Sequence, residues 1–112
     1  DDFTVAYLES MLSHVYQDGT CCYMYSIYDI DHKSLDKAIK DCKRFQENNS
    51  HFLICSTYED GRSFWLCRNG QDSFNNYPSH LKSSFVDECN RLPKLILKEE
   101  KGVVFISEIE KN

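Results

Sequence analysis

The run HFLICSTYEDGRSFWLCR, residues 51–68, decides how the rest of the chain is read. Aliphatic and aromatic residues crowd both of its halves, and Glu59-Asp60-Gly61 lies between them. This composition predicts a β-hairpin from His51 to Arg68 that turns at Gly61. With Tyr58 paired to Arg62, Cys55 would face Trp65 and reach Cys67 only diagonally, at roughly 7 Å, too far for a disulfide.

The segments on either side complete the pattern. N-terminal to the hairpin, Leu35, Ala38, Ile39, Cys42 and Phe45 recur at helical spacing. Asp31 or Ser34 is available as the cap, and Asn48-Asn49-Ser50 as the stop. Before that helix, Thr20 to Ile30 holds tyrosines at 23, 25 and 28 and isoleucines at 27 and 30, a strand composition. Val5, Leu8, Met11, Leu12 and Val15 predict an opening helix, capped by Asp2 or Thr4 and ended near Gly19.

C-terminal to the hairpin, Asn69 to Pro78 is polar and reads as a loop carrying Phe74 and Tyr77. A helix is expected over Ser79 to Arg91 with Leu81, Phe85, Cys89 and Leu92 inward, stopped by Pro93. A second hairpin follows, Lys94 to Lys98 with Val103 to Ile109, around Glu99 to Gly102. In it Leu95, Leu97, Val104 and Ile106 share one side, and Ile96, Val103 and Phe105 the other. The expected fold is α+β, three helices packed on a mostly antiparallel five-stranded sheet in the order α-β-α-β-β-α-β-β. Residues 34–68 and 79–110 would be two copies of a helix-plus-hairpin unit within one domain, 1–112.

A chain of 112 residues with 41% apolar content, seven Phe, seven Tyr and one Trp has enough hydrophobic surface for a core. Its longest apolar runs, such as Phe52 to Cys55 and Val103 to Ile106, fall far short of the roughly 20 residues of a membrane-spanning helix. No signal-peptide pattern opens the chain, and a cytoplasmic location is expected. Six cysteines are too sparse for a disulfide scaffold and are expected to be reduced. A net charge of −5 disfavours nucleic acid as a ligand. The excess of Lys over Arg points to an AT-rich source genome, such as that of a virus or phage.

Four groups of residues are candidates for chemistry. Asp29 and Asp31, near His32, could serve as paired carboxylates, although Asp31 equally suits a helix cap. His51 and Cys55 share parity on the expected strand, an arrangement a thiol nucleophile with a base would use. Cys21-Cys22 is an adjacent pair and lacks the spacing of metal ligands, so no metal and no cofactor is expected. Tyrosine and tryptophan dominate binding hot spots, which draws attention to Tyr23, Tyr25, Tyr28, Tyr58, Trp65, Phe74 and Tyr77.

These residues together favour a non-enzymatic, protein-binding module. The expected form is a small acidic inhibitor, of the kind that neutralises a toxin or blocks a host factor, acting by occlusion of a basic protein partner. Trp65, Phe74, Tyr77 and Tyr58 would be its anchors, with Glu59 and Asp60 steering. A small enzyme or ligand-binding domain using Cys55 with His51, or Asp29 with Asp31, is the alternative. A homodimer formed through an apolar sheet face is another.

Overall fold

The Asp1 carboxylate accepts a hydrogen bond from the Thr4 amide at 2.9 Å and so starts a helix, α1, Asp2–Ser13, satisfying one of its open donors. The structure is a computed structural model that describes residues 1–16, 18–53 and 57–109. The cap is Asp1 rather than Asp2 or Thr4, and the helix ends at Ser13, ahead of Gly19. Phe3, Ala6, Tyr7, Leu8, Met11 and Leu12 are all buried, a wider stripe than one packing face needs. The helix is therefore buried on most of its circumference, with only the narrow strip of Asp2, Val5, Glu9 and Ser13 left exposed.

The second helix follows its sequence pattern closely. Asp31 caps α2, His32–Asn48, by accepting from the Ser34 amide at 3.2 Å. Ser34, Ala38, Cys42 and Phe45 form its buried stripe; Ile39, expected inward, is exposed. The first turn of α2 also completes the sheet, because Ser34 Oγ accepts from the Ile106 amide at 2.9 Å.

The hairpin expected over residues 51–68 does not form. Thr57–Arg68 is a helix, α3, and Glu59-Asp60-Gly61 lies in its first turns instead of joining two strands. Its buried residues are Asp60, Gly61, Phe64, Trp65, Cys67 and Arg68, a helical repeat in which two charged side chains occupy core positions. Gly61 is needed for close approach and not for a turn. A Cβ there would overlap the Phe3 carbonyl oxygen and sit 2.9 Å from Phe3 Cα, so α3 rests on α1 backbone to backbone. Each charged residue of the stripe is paired. Arg68 donates to Asp41 at 2.6 Å, to the Tyr7 hydroxyl at 3.1 Å and to the Pro93 carbonyl at 3.1 Å, joining α3 to α2, to α1 and to the start of the hairpin. Asp60 accepts from the Tyr77 hydroxyl at 2.7 Å.

The strand expected over Thr20 to Ile30 is also absent. A capping box closes a single 3-10 turn, Ile27–Asp29: Asp29 accepts from the Ser26 amide at 2.8 Å and Ser26 Oγ accepts from the Tyr28 amide at 3.2 Å. The segment touches extended backbone only at isolated bridges, Val15 with Cys21 and Ile30 with Val104.

Ser79–Asn90 forms α4, and Lys94–Glu100 and Val103–Ile109 form the antiparallel strands β1 and β2. Lys101 and Gly102 both have positive φ, 53° and 83°, the geometry of a two-residue turn that matches strand twist. The register sets Leu97 opposite Ile106 and Lys98 opposite Phe105, which gives the side assignment the alternation predicts. Leu95, Leu97 and Val104 are buried, while Val103 on the other side is exposed.

The fold is thus α+β, but with four helices and a two-stranded sheet among the described residues, instead of three helices on five strands. The proposed repeat fails on its first half, where a helix stands in place of a hairpin. Among the described residues no helix is long and apolar enough to cross a membrane.

Stacked and tilted rings of Phe3, Phe45, Phe64, Phe74 and Phe85 fill the centre, with neighbouring centroids 4.3 to 6.1 Å apart. Phe74 holds a positive φ of 55° in its polar loop, a strained backbone that its buried ring stabilises by packing on Phe85 and Phe45.

Two substitutions test this packing by urea denaturation. Gly61→Ala is expected to destabilise the protein by about 3 kcal/mol, because backbone atoms cannot move aside as a side chain would. Phe74→Ala is expected to lose about 3 kcal/mol or more through the cavity it leaves, the relief of backbone strain being smaller.

Candidate functional site

Burial divides the aromatic residues into two groups that their sequence does not distinguish. Trp65, Phe74 and Tyr77 are buried. Tyr28 is 95% exposed, Met24 80%, Tyr23 70% and Tyr58 50%. Exposure of this size is unusual for such large side chains on a chain of this length.

The exposed group gathers around the outer face of α1. Glu9 and Ser13 of that helix line two adjoining grooves. One, of about 330 Å³, is walled by Tyr23, Tyr25, Ile27 and Tyr28. The other, of about 410 Å³, lies between α1 and α3, walled by Tyr58, Arg62 and His14, with Trp65 and Leu66 at its base.

Several features hold this surface in shape. The Ser26–Asp29 capping box fixes the backbone beneath Tyr28. The neighbouring Glu99 carboxylate raises the pKa of the Tyr25 hydroxyl by favouring its protonated form. His14 packs edge-on against Tyr16 and Trp65, with ring centroids 4.7 and 5.9 Å away, and its Nε2 lies 3.1 Å from Asn69 Nδ2. The Ser13 hydroxyl donates back to the Glu9 carbonyl at 2.9 Å. Ser13 and His14 thus bond to Glu9 and Asn69 rather than to each other. What the surface offers is aromatic area, a thioether, one guanidinium and one carboxylate, the residue types that recur at protein interfaces.

The sequence-predicted site is divided by the structure. Tyr58 and Glu59 are exposed on α3, and Trp65 reaches the same groove only from beneath. Phe74 and Tyr77 belong to the core, and Asp60 is buried under Tyr77, so none of these three is placed to meet a partner. Asp29 and Asp31 both cap helical turns and do not form a carboxylate pair for acid–base work. His51 lies exposed in the turn after α2, and Cys55 lies outside the described residues. Among the described residues no group of three or more His, Cys, Asp or Glu side chains is placed to hold a metal ion. Met24 and Arg62 were missed by the sequence reading, and only their closeness to Tyr23 and Tyr58 in the chain marked them.

No family model, curated protein or solved structure matches the chain.

Asp60 gives the site's neighbourhood a pH signature. Burial raises its pKa above the ordinary 3.8, and the Tyr77 hydroxyl opposes this only in part. A carboxyl whose pKa is raised by folding favours the folded state below 3.8 and loses that contribution as pH rises through its folded value. Asn at this position still accepts from Tyr77 but carries no charge. In urea melts, Asp60→Asn is expected to be more stable than the parent at pH 7, with the difference shrinking towards pH 4.

Proposed function

We propose that this protein is a non-enzymatic binding module that occludes a surface of another protein through the exposed residues Tyr23, Met24, Tyr28, Tyr58 and Arg62. The observation that carries the reading is the clustering of three tyrosines, Tyr23, Tyr28 and Tyr58, 50% to 95% exposed, along two adjoining grooves on one side of α1, with the 80% exposed Met24 next to Tyr23 in the chain. An isolated exposed aromatic needs no explanation; a cluster over preformed concavities is the usual form of an interface core.

The net charge of −5 favours a basic partner by raising the rate of encounter, while the aromatic residues would set the lifetime of the complex. An inhibitor that acts by covering its target's working surface fits both features. The reading moves the anchors from Phe74 and Tyr77 to residues whose removal leaves the core intact.

Affinity capture from source cells followed by calorimetry tests it. Tyr28→Ala and Tyr23→Ala are expected to fold as the parent does and to lose about 2 kcal/mol each in binding, or roughly 30-fold in Kd. Higher salt should slow association without erasing that loss. Parent-like affinity in a Tyr23→Ala, Met24→Ala, Tyr28→Ala triple variant would show that this face is not the interface.

A further inference from the structure

The two grooves beside α1 differ in charge. The one between α1 and α3 carries both signs, with Glu9 and the exposed Arg62 among its lining residues. The one beside the Ile27–Asp29 turn carries a single sign. Tyr23, Tyr25 and Tyr28 line it together with the apolar Leu12 and Ile27, and Glu9 is its only charged lining residue. Among the described residues the Glu9 carboxylate forms no ion pair and no hydrogen bond, since the Ser13 hydroxyl bonds to the Glu9 backbone carbonyl and the carboxylates of the ion pairs are Asp41, Asp72 and Glu108.

We propose that this groove receives an arginine side chain of the partner protein, with the guanidinium on the Glu9 carboxylate and against the three tyrosines. The inference rests on reading this face as the interface, and it adds the chemical class of the group that enters.

The choice follows from what each kind of occupant would do to Glu9. An apolar side chain would take water from the carboxylate and give nothing in return, and an acidic one would be repelled. A cation is attracted both to the carboxylate and to the negative faces of aromatic rings. Arginine suits the groove better than lysine does. Its flat guanidinium is weakly hydrated and can lie on a ring while offering two N–H groups to one carboxylate, whereas an ammonium must shed tightly held water. The methylene stem finds apolar surface in Leu12 and Ile27. A volume of about 330 Å³ is at the small end for a ligand site, right for one large side chain. The Ser26–Asp29 capping box sets the backbone of the tyrosine wall beforehand, and the net charge of −5 draws basic groups towards it.

The test is an NMR titration of the isotopically labelled full chain with N-acetyl-arginine methylamide, with the citrulline analogue as the uncharged probe of the same shape. The arginine probe is expected to shift the amide signals of Glu9, Ser13, Tyr23, Ser26 and Tyr28 saturably, with a Kd on the order of 1 mM. Citrulline should bind roughly threefold or more weakly. Glu9 is exposed, so Glu9→Gln should keep the parent's spectrum while weakening the arginine probe roughly three- to fivefold and removing most of its salt dependence. Tyr28→Ala should weaken it about threefold. No saturable shift in this groove, equal binding of the two probes, or equal binding by parent and Glu9→Gln would each overturn the proposal. The captured partner separates this inference from the reading beneath it. If Glu9→Gln binds that partner as the parent does while the Tyr23, Met24 and Tyr28 triple variant loses affinity, the arginine is rejected and the interface stands. Parent-like affinity in the triple variant rejects the interface and the arginine with it.

Discussion

The approach of α3 to α1 at Gly61 is the constraint on which the rest of the structure depends. With no side chain at that position, the two helix backbones meet at Phe3, and the rings of Phe3, Tyr7 and Phe64 come within stacking distance. Phe64 in turn stacks on Phe45 of α2, and Phe45 reaches Phe74 and Phe85. A displaced α3 would separate this chain of rings at its first link. Close-packed interiors respond to such a change as a unit, because their contacts weaken steeply with separation.

Burying a helix so deeply on a face that carries Asp60 and Arg68 has an electrostatic cost, and the fold offsets it with specific partners. Asp41 supplies the charge for Arg68 and also pairs with Lys37 at 2.7 Å, so the guanidinium faces a carboxylate that remains partly hydrated. Arg68 Nη2 finds no hydrogen-bond partner among the described residues. Buried ion pairs of this kind contribute less to net stability than to fixing one arrangement over its competitors, since a misplaced α3 would strand the charge. By holding α1, α2 and Pro93 together, Arg68 fits that description.

These two features also explain which parts of the fold were legible in the sequence. The Leu95-to-Ile106 alternation and the Leu35-to-Phe45 periodicity are apolar patterns with few polar interruptions, and the structure follows both except at Ile39. Residues 57–68 carry a helical period as well, but Asp60 and Arg68 occupy two of its inward positions, and Gly61 imitates a turn. Pattern reading assigns charge to the outside and glycine to bends. Both assignments fail where a partner supplied from elsewhere in the chain reverses them. The candidate site failed for a related reason: Tyr28 stands in an apolar, strand-like run and Tyr77 in a polar loop, yet tertiary packing makes the first a surface knob and the second a core ring. The Ser-x-x-Asp spacing at residues 26 to 29 was a readable sign that Thr20 to Ile30 would coil rather than extend.

That short capped turn bears on how the exposed ring above it would work. A tyrosine on a loose loop must give up backbone freedom on docking, and the loss subtracts directly from affinity. Beneath Tyr28 the backbone torsions are already set by Ser26 and Asp29, so folding has removed that disorder before any encounter. Only the two side-chain torsions remain to be restricted. A ring presented in this way can be exchanged for another large side chain with little change to its support, so the turn acts as a fixed mount on which specificity can vary independently of the fold.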